Sequence, residues 1–172
     1  MGVFQAIDIS ASGLTAQRLR LDLIANNIAN VNTTRTGQTT AGGNPIPYRR
    51  QVAVFVPRPP ETGFARVFRQ TINQFGQAGT SLTAPSPAGN GVQVAAVSED
   101  EAPFRLEYNP DSPDAATVAE AGIPAGYVRL PNVNIVTEMV DMISASRAYE
   151  ANVTALNASK SMASKALEIG RG

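Results

Sequence analysis

At 172 residues the chain is long enough for one domain with its own core, or for a small domain carrying extended arms. Lys+Arg and Asp+Glu both number 14, so no global charge points to nucleic acid or an acidic membrane surface. Cysteine and histidine are both absent, which removes disulfides, thiolate chemistry, the usual zinc sites and the commonest general base. Apolar runs stay well short of the roughly 20 residues of a membrane span, so no direct membrane insertion is expected. "MGVFQAIDIS" has no basic segment ahead of an apolar core and is not expected to act as a Sec-type signal.

From Phe4 to about Val31 the apolar residues Phe4, Ile7, Ala11, Leu14, Leu21, Ala25 and Ile28 step by three and four, predicting a helix interrupted only at Arg18. On a helical wheel Leu21, Ile24, Ile28 and Val31 gather on one side, with Ala16, Leu19, Leu23, Asn26 and Asn30 roughly opposite. A helix packed once on its own domain needs one apolar stripe. This one has two.

The segment "LIANNIANVNTT" places asparagine at 26, 27, 30 and 32, although asparagine is a poor helix former. Two readings stand. Amides at 26, 27 and 30 can fix register across a dry multi-helix contact, toward Asn152 and Asn157, because a shifted neighbour leaves them unpaired. Alternatively the later asparagines end the helix, since Asn tolerates left-handed backbone.

"NTTRTGQTTAGGNPIP" is turn-rich and has little to bury. "YRRQVAVFV", "GVQVAAV", "FRLEY" and "YVRL" predict short strands, each bounded by Pro, Gly, Asp or Asn. Between the first two, "PRPPETG" and "TAPSPAGNG" bracket "FARVFRQTINQF", whose spacing predicts a short amphipathic helix. Charge is segregated in this zone: six arginines against Glu61 from Arg35 to Arg69, then seven acids against Arg105 from Glu99 to Glu120. Pairing within one subunit and complementary contact between subunits both fit that pattern.

From Asn132 to Ile169 a longer pattern runs: Ile135, Met139, Met142, Tyr149, Val153, Leu156, Ala163, Leu167. Pro131 with Asn132 or Asn134 as N-cap starts it, Glu138 and Asp141 suit its early turns, and Gly170 closes it. A second flank carries Ala145, Ala148, Asn152, Ala155, Ser159 and Ala166, small enough for a backbone to come close. A third patch holds Val136, Val140 and Ile143. A two-helix hairpin cannot cover all of these surfaces, and large uncovered apolar patches mark partner sites.

Catalytic patterns fail. Ser161 and Lys165 are four apart rather than Ser-x-x-Lys, no glycine-rich phosphate loop occurs, and Pro113 and Asp114 break a calcium loop at "NPDSPDAATVAE". No catalytic residue, cofactor or metal is expected.

"SGLTAQRLRLDLIANNIANVNTTRT" and "YVRLPNVNIVTEMVDMISASRAYEANVTALNASKSMASKALEIG", with "GGNPIPYRRQVAVF" and "APFRLEYNPDSPDA" between them, resemble the rod proteins of the bacterial flagellar basal body, most closely the C-type proximal rod branch. The resemblance implies a mainly α chain with a small β-rich insert: an axial helix over 1–34, a β-rich middle over 35–131 with a variable insertion near 57–90, and a long axial helix over 132–172. It implies a structural drive-shaft subunit in the periplasmic rod, exported by the flagellar type III apparatus without a cleaved signal, its terminal helices forming a coiled-coil-like tube around an export channel. Copies of itself, other rod subunits, and MS-ring or export-gate junction proteins are the implied partners; nucleic acid is not. Carried over as assembly residues are Leu14, Leu21, Ile24, Asn27, Ile28 and Asn30 in the first block, and Val136, Met139, Met142, Ile143, Tyr149, Val153 and Leu156 in the second. A sibling rod or hook protein, or an adaptor that binds helices without polymerising, remains the alternative; "PYRRQ", "FRLEYNP" and the short chain favour the C-type branch. Helices this exposed are expected to order only on joining neighbours.

Overall fold

A computed structural model describes residues 3–58, 89–120 and 122–170. The predicted helix over "FARVFRQTINQF" and most of the 57–90 stretch lie outside them. Two long helices, α1 (Val3–Ala29) and α2 (Ile135–Ile169), stand at the ends of the chain. Between them lie β1 (Gln51–Pro57), β2 (Val92–Glu99), β3 (Arg105–Tyr108) and β4 (Tyr127–Leu130). All four predicted strands form. They pair as two separate antiparallel ribbons, β1 with β2 and β3 with β4. A register shift at Val54/Phe55 bends the first ribbon.

The helices are antiparallel neighbours, with Asn27 beside Glu138 at one end and Gly13 beside Asn152 farther along. One chain therefore already pairs its two ends, against the expectation that they wait for neighbours. The seam explains how. On α2 it runs through Glu138, Ala145, Asn152 and Ser159, seven residues apart, the repeat that keeps one face of a helix on a partner helix. Ala145 and Glu138 are wholly buried, Ser159 nearly so, and the α1 side answers with Ser10, Ala16, Ile24 and Asn27. Ala16 and Ile24 thus share one inward face rather than standing opposite. The seam is built from small and polar side chains, so the backbones approach closely; a Cβ on Gly13 would lie 3.0 Å from the Asn152 Oδ1.

The start of α2 is capped by Asn134, whose Oδ1 accepts from the backbone N–H of Val136 and Thr137. Asn132 does other work: its Oδ1 accepts the Arg50 N–H and its Nδ2 donates to the Asp100 carbonyl. α1 ends where Asn30 Nδ2 donates back to the Asn26 main-chain carbonyl and the Asn26 Oδ1. That closure uses no left-handed asparagine, since every positive-φ residue described is glycine. Gly170 closes α2 in right-handed backbone, φ −76°.

The connection after α1 is stapled to the segment before β4 through polar groups. Asn44, 1 % exposed, donates to the Val118 carbonyl and accepts from the Thr117 N–H. Asp114 accepts from Thr34 Oγ1 and from Arg35, and Glu120 accepts from Thr40 Oγ1 and the Gly42 N–H. A turn-rich stretch with little to bury is ordered here by hydrogen bonds instead of a core.

Candidate functional site

Two features organise the molecule's surface: a buried polar knot at the base of the hairpin, and the apolar stripes that the hairpin leaves open. The knot forms where α1 ends, α2 begins and the chain runs into β1 alongside α1. Glu138 is 0 % exposed and accepts from Arg50 Nε at 2.6 Å and Asn27 Nδ2 at 3.1 Å. Arg50 also reaches Asp141 at 3.3 Å and Asp100 at 3.4 Å, and Asp141 takes Arg20 at 2.8 Å. One guanidinium on β1's approach thereby ties the first turns of α2 to the β2 end and, through Asp141, to the middle of α1.

Burial alone would lower the Arg50 pKa; the hydrogen bond and charge of Glu138, with Asp100 behind them, outweigh it and hold the guanidinium above its ordinary value. The Tyr48 phenol is pushed up by burial and by the neighbouring carboxylates of Glu138 and Glu99. Asp100 is held low by the Ala102 N–H and then by Arg50.

Asn27 is the hub, 1 % exposed. Its Nδ2 donates to the Gln51 carbonyl (2.9 Å) and to Glu138; its Oδ1 accepts from Tyr48 Oη (2.9 Å) and from the Gln51 N–H (2.9 Å). Four partners satisfy every position an amide offers. The register that Asn27 fixes is therefore internal to the chain, and the expectation that it reaches across a subunit contact gives way to this geometry. Asn26 and Asn30 cap the end of α1, and Asn32 lies on the surface. The segregated charge has a similar outcome: Arg35 pairs with Asp114, Arg49 with Glu99, and Arg50 with Asp100, all within one chain.

Of the remaining assembly candidates, only Ile24 belongs to the seam. Ile24 is buried against α2. Leu14, Leu21, Ile28, Met142, Val153 and Leu156 are half-buried. Val136, Met139, Ile143 and Tyr149 are exposed, Val136 by 71 %, and Val140 beside them is exposed as well. So α2 turns Ala145, Asn152 and Ser159 inward and leaves Ile135, Met139 and Tyr149 of its larger apolar stripe exposed with the Val136–Val140–Ile143 patch, while Met142, Val153 and Leu156 lie half-buried. On α1 the large residues divide: Phe4 is exposed, and Ile7, Leu14, Leu21 and Ile28 are half-buried. The exposed area of Val136, Met139, Val140 and Ile143 is on the order of 400 Å², the size at which an apolar patch on a soluble chain marks a contact site.

Sequence reasoning missed the knot. Glu138 read as a carboxylate suited to a helix N-terminus, and Arg50 as one charge in a basic run. The signal available was the period: Glu138 precedes Ala145, Asn152 and Ser159 by successive sevens, which places a carboxylate on the buried seam and demands a partner.

Among the described residues no helix is long and apolar enough to cross a membrane. The family profile described as "Flagella basal body rod protein" matches residues 7–35, and "Flagellar basal body rod FlgEFG protein C-terminal" matches residues 125–169. These spans hold α1 with its asparagine block, and β4 with α2. The flagellar basal-body rod protein FlgC of Borreliella burgdorferi is 48 % identical over 172 residues, covering 100 % of both chains. That of Bacillus subtilis is 41 % identical over 171 residues, 99 % of this chain and 100 % of the relative, and that of Escherichia coli O157:H7 is 37 % identical with the same coverage. Matched end to end at such identity, the chain belongs to the FlgC family of flagellar basal-body rod proteins and is a structural component of the flagellar basal body.

Proposed function

We propose that this chain is a subunit of the proximal rod, a drive shaft that polymerises through its terminal helices, encloses the export channel and transmits torque. The observation that carries this reading is the mismatch between seam and stripe. α2 spends Ala145, Asn152 and Ser159 on its partner helix and keeps Val136, Met139, Val140 and Ile143 open, and α1 leaves Leu14, Leu21 and Ile28 only half-covered, which fits helices packed by further helices from neighbouring copies or related rod subunits. Interdigitated helices resist shear because close-packed interiors are nearly incompressible, and the buried knot couples the β-rich module to the helical shaft so that the two turn together.

On this reading the chain acts by packing and not by catalysis. Its partners are copies of itself, other rod subunits and the MS-ring or export-gate junction beneath. Its place is the periplasmic rod, reached through the flagellar type III apparatus without a cleaved signal. Electron microscopy of isolated basal bodies tests this. The expected result is α1 and α2 packed around the axis with the β-rich module outside, in several copies. A β-rich module lining the axis, or one copy at a peripheral site, would overturn the reading.

A further inference from the structure

Along most of its length the seam places few conditions on what lies across it. Asn152 donates its Nδ2 to the Ala148 carbonyl and Ser159 its Oγ to the Ala155 carbonyl, both on α2 itself, and Ala145 is apolar. Polar groups satisfied on their own helix ask nothing of a partner helix beyond small size. The base of the hairpin is different. Glu138 is 0 % exposed, and the groups it accepts from, the Asn27 amide and the Arg50 guanidinium, both come from outside α2. Asn27 spends its other hydrogen bonds on Tyr48 and Gln51. Arg20, the cation that α1 brings to this level, is engaged by Asp141 instead. The two helices closing by themselves would therefore bury the Glu138 carboxylate without the cation that now neutralises it.

We propose that Arg50 is a conditional clasp: α1 closes on the start of α2 only when the chain running into β1 has delivered its guanidinium to Glu138. A carboxylate taken out of water without a cation costs more than a few small side chains return by packing. The Arg50 contact at 2.6 Å removes that penalty. Delivery is tied in turn to the β-rich module. The Arg50 main-chain N–H donates to Asn132 Oδ1, and the Arg50 carbonyl accepts from the N–H of Asp100, the residue that follows β2. A chain whose module has not formed thus keeps its long helices apart at the base and open to other contacts, and closure follows the module. The dependence is one-sided. Arg50 keeps 22 % of its side chain in solvent and also reaches Asp100 and Asp141, themselves 31 % and 30 % exposed, so it tolerates the loss of Glu138. Glu138, wholly buried, has no such reserve.

The full-length chain has no native cysteine, so nitroxide labels can be placed at Thr15→Cys on α1 and Ser144→Cys on α2, both exposed positions. Double electron–electron resonance on the unassembled chain then reads helix closure, and hydrogen exchange of the β1–β2 amides reads the module separately. The parent and Glu138→Met should each give one narrow distance. Arg50→Met should lower the ratio of closed to open molecules by about a hundredfold or more, as stranding one partner of a buried pair predicts, giving a longer and broader distribution while the β1–β2 amides stay protected. Arg50→Met combined with Glu138→Met should close again, because apolar side chains of similar volume can replace a buried ion pair. A narrow distance in Arg50→Met would overturn the clasp. So would a double variant that stays as open as Arg50→Met, or a Glu138→Met chain that opens equally, which would make the pair an ordinary brace. Loss of β1–β2 protection in the double variant would make Arg50 a support of the module itself and would overturn the clasp as well.

Discussion

Replacing Asn27 with alanine separates the two roles that its amide could have. In the structure the substitution strips a partner from the Gln51 N–H, the Gln51 carbonyl, the Tyr48 hydroxyl and the Glu138 carboxylate together. Glu138 keeps Arg50, and the Tyr48 oxygen still accepts from Asn26 although its proton loses its acceptor, so the loss falls mainly on the two main-chain groups of Gln51. Each buried group left unpaired costs about 1–3 kcal/mol. With partial rescue of the other two, the chain should lose about 3–4 kcal/mol, a large share of the roughly 5–15 kcal/mol typical of a folded domain. Urea unfolding followed by far-UV circular dichroism checks it, the midpoint falling with little change in slope. Asn27→Asp should be worse near neutral pH, since it sets a second carboxylate against Glu138. That carboxyl would titrate above its unfolded value, so the added penalty should be relieved as pH falls. A chain with Asn27→Ala that unfolds within about 0.5 kcal/mol of the parent, yet fails to assemble, would refute the internal role and restore a contact between subunits.

Three further outcomes are expected. Val140→Glu, on the outer patch of α2, should leave monomer stability within about 0.5 kcal/mol but abolish assembly read by light scattering. Gly91→Ala should destabilise the chain by about 1–3 kcal/mol in thermal unfolding, because the residue sits at φ +83° and its new methyl would run into the Ser12 hydroxyl that accepts the Val92 N–H. Asp114 is held below the usual carboxylate range by the Thr34 hydroxyl and then Arg35, and Glu120 by the Thr40 hydroxyl and the Gly42 N–H. Their folded pKa values lie below the unfolded ones, so the stability they contribute is complete above about pH 4 and is lost as pH falls through the folded values. Thr34→Val should therefore flatten the acid limb of a urea-midpoint profile.

The helices and strands were legible because their signals are local. Period and Pro, Gly and Asn punctuation place four strands and two helices, and "YVRL" forms β4 at Tyr127–Leu130 as read. The packing was not legible in the same way. The Ile135–Leu167 series and the small-residue flank both read as packing faces of α2, and which of them the hairpin would take was open; it buries Ala145 and Ser159, with Glu138. Small residues permit close backbone approach, and that advantage belongs to the pair of helices, not to either one read alone. Glu138 and Asn27 were obscure for a related reason: a buried polar group makes sense only once its partners are known, and Tyr48, Arg50 and Gln51 are brought to them by the chain as it runs into β1. The asparagine block is a mixture, one residue tying the knot and two closing the helix.

The division between an inward small-residue seam and an outward apolar stripe is tested most directly by thiol labelling at single introduced cysteines, Ile143→Cys on the stripe and Ala145→Cys on the seam, in the free chain and in assembled rods. Ile143→Cys should react rapidly in the free chain and at least about tenfold more slowly in the rod, as burial by a neighbouring helix requires, whereas Ala145→Cys should be protected in both. Equal labelling of Ile143→Cys before and after assembly would contradict the account.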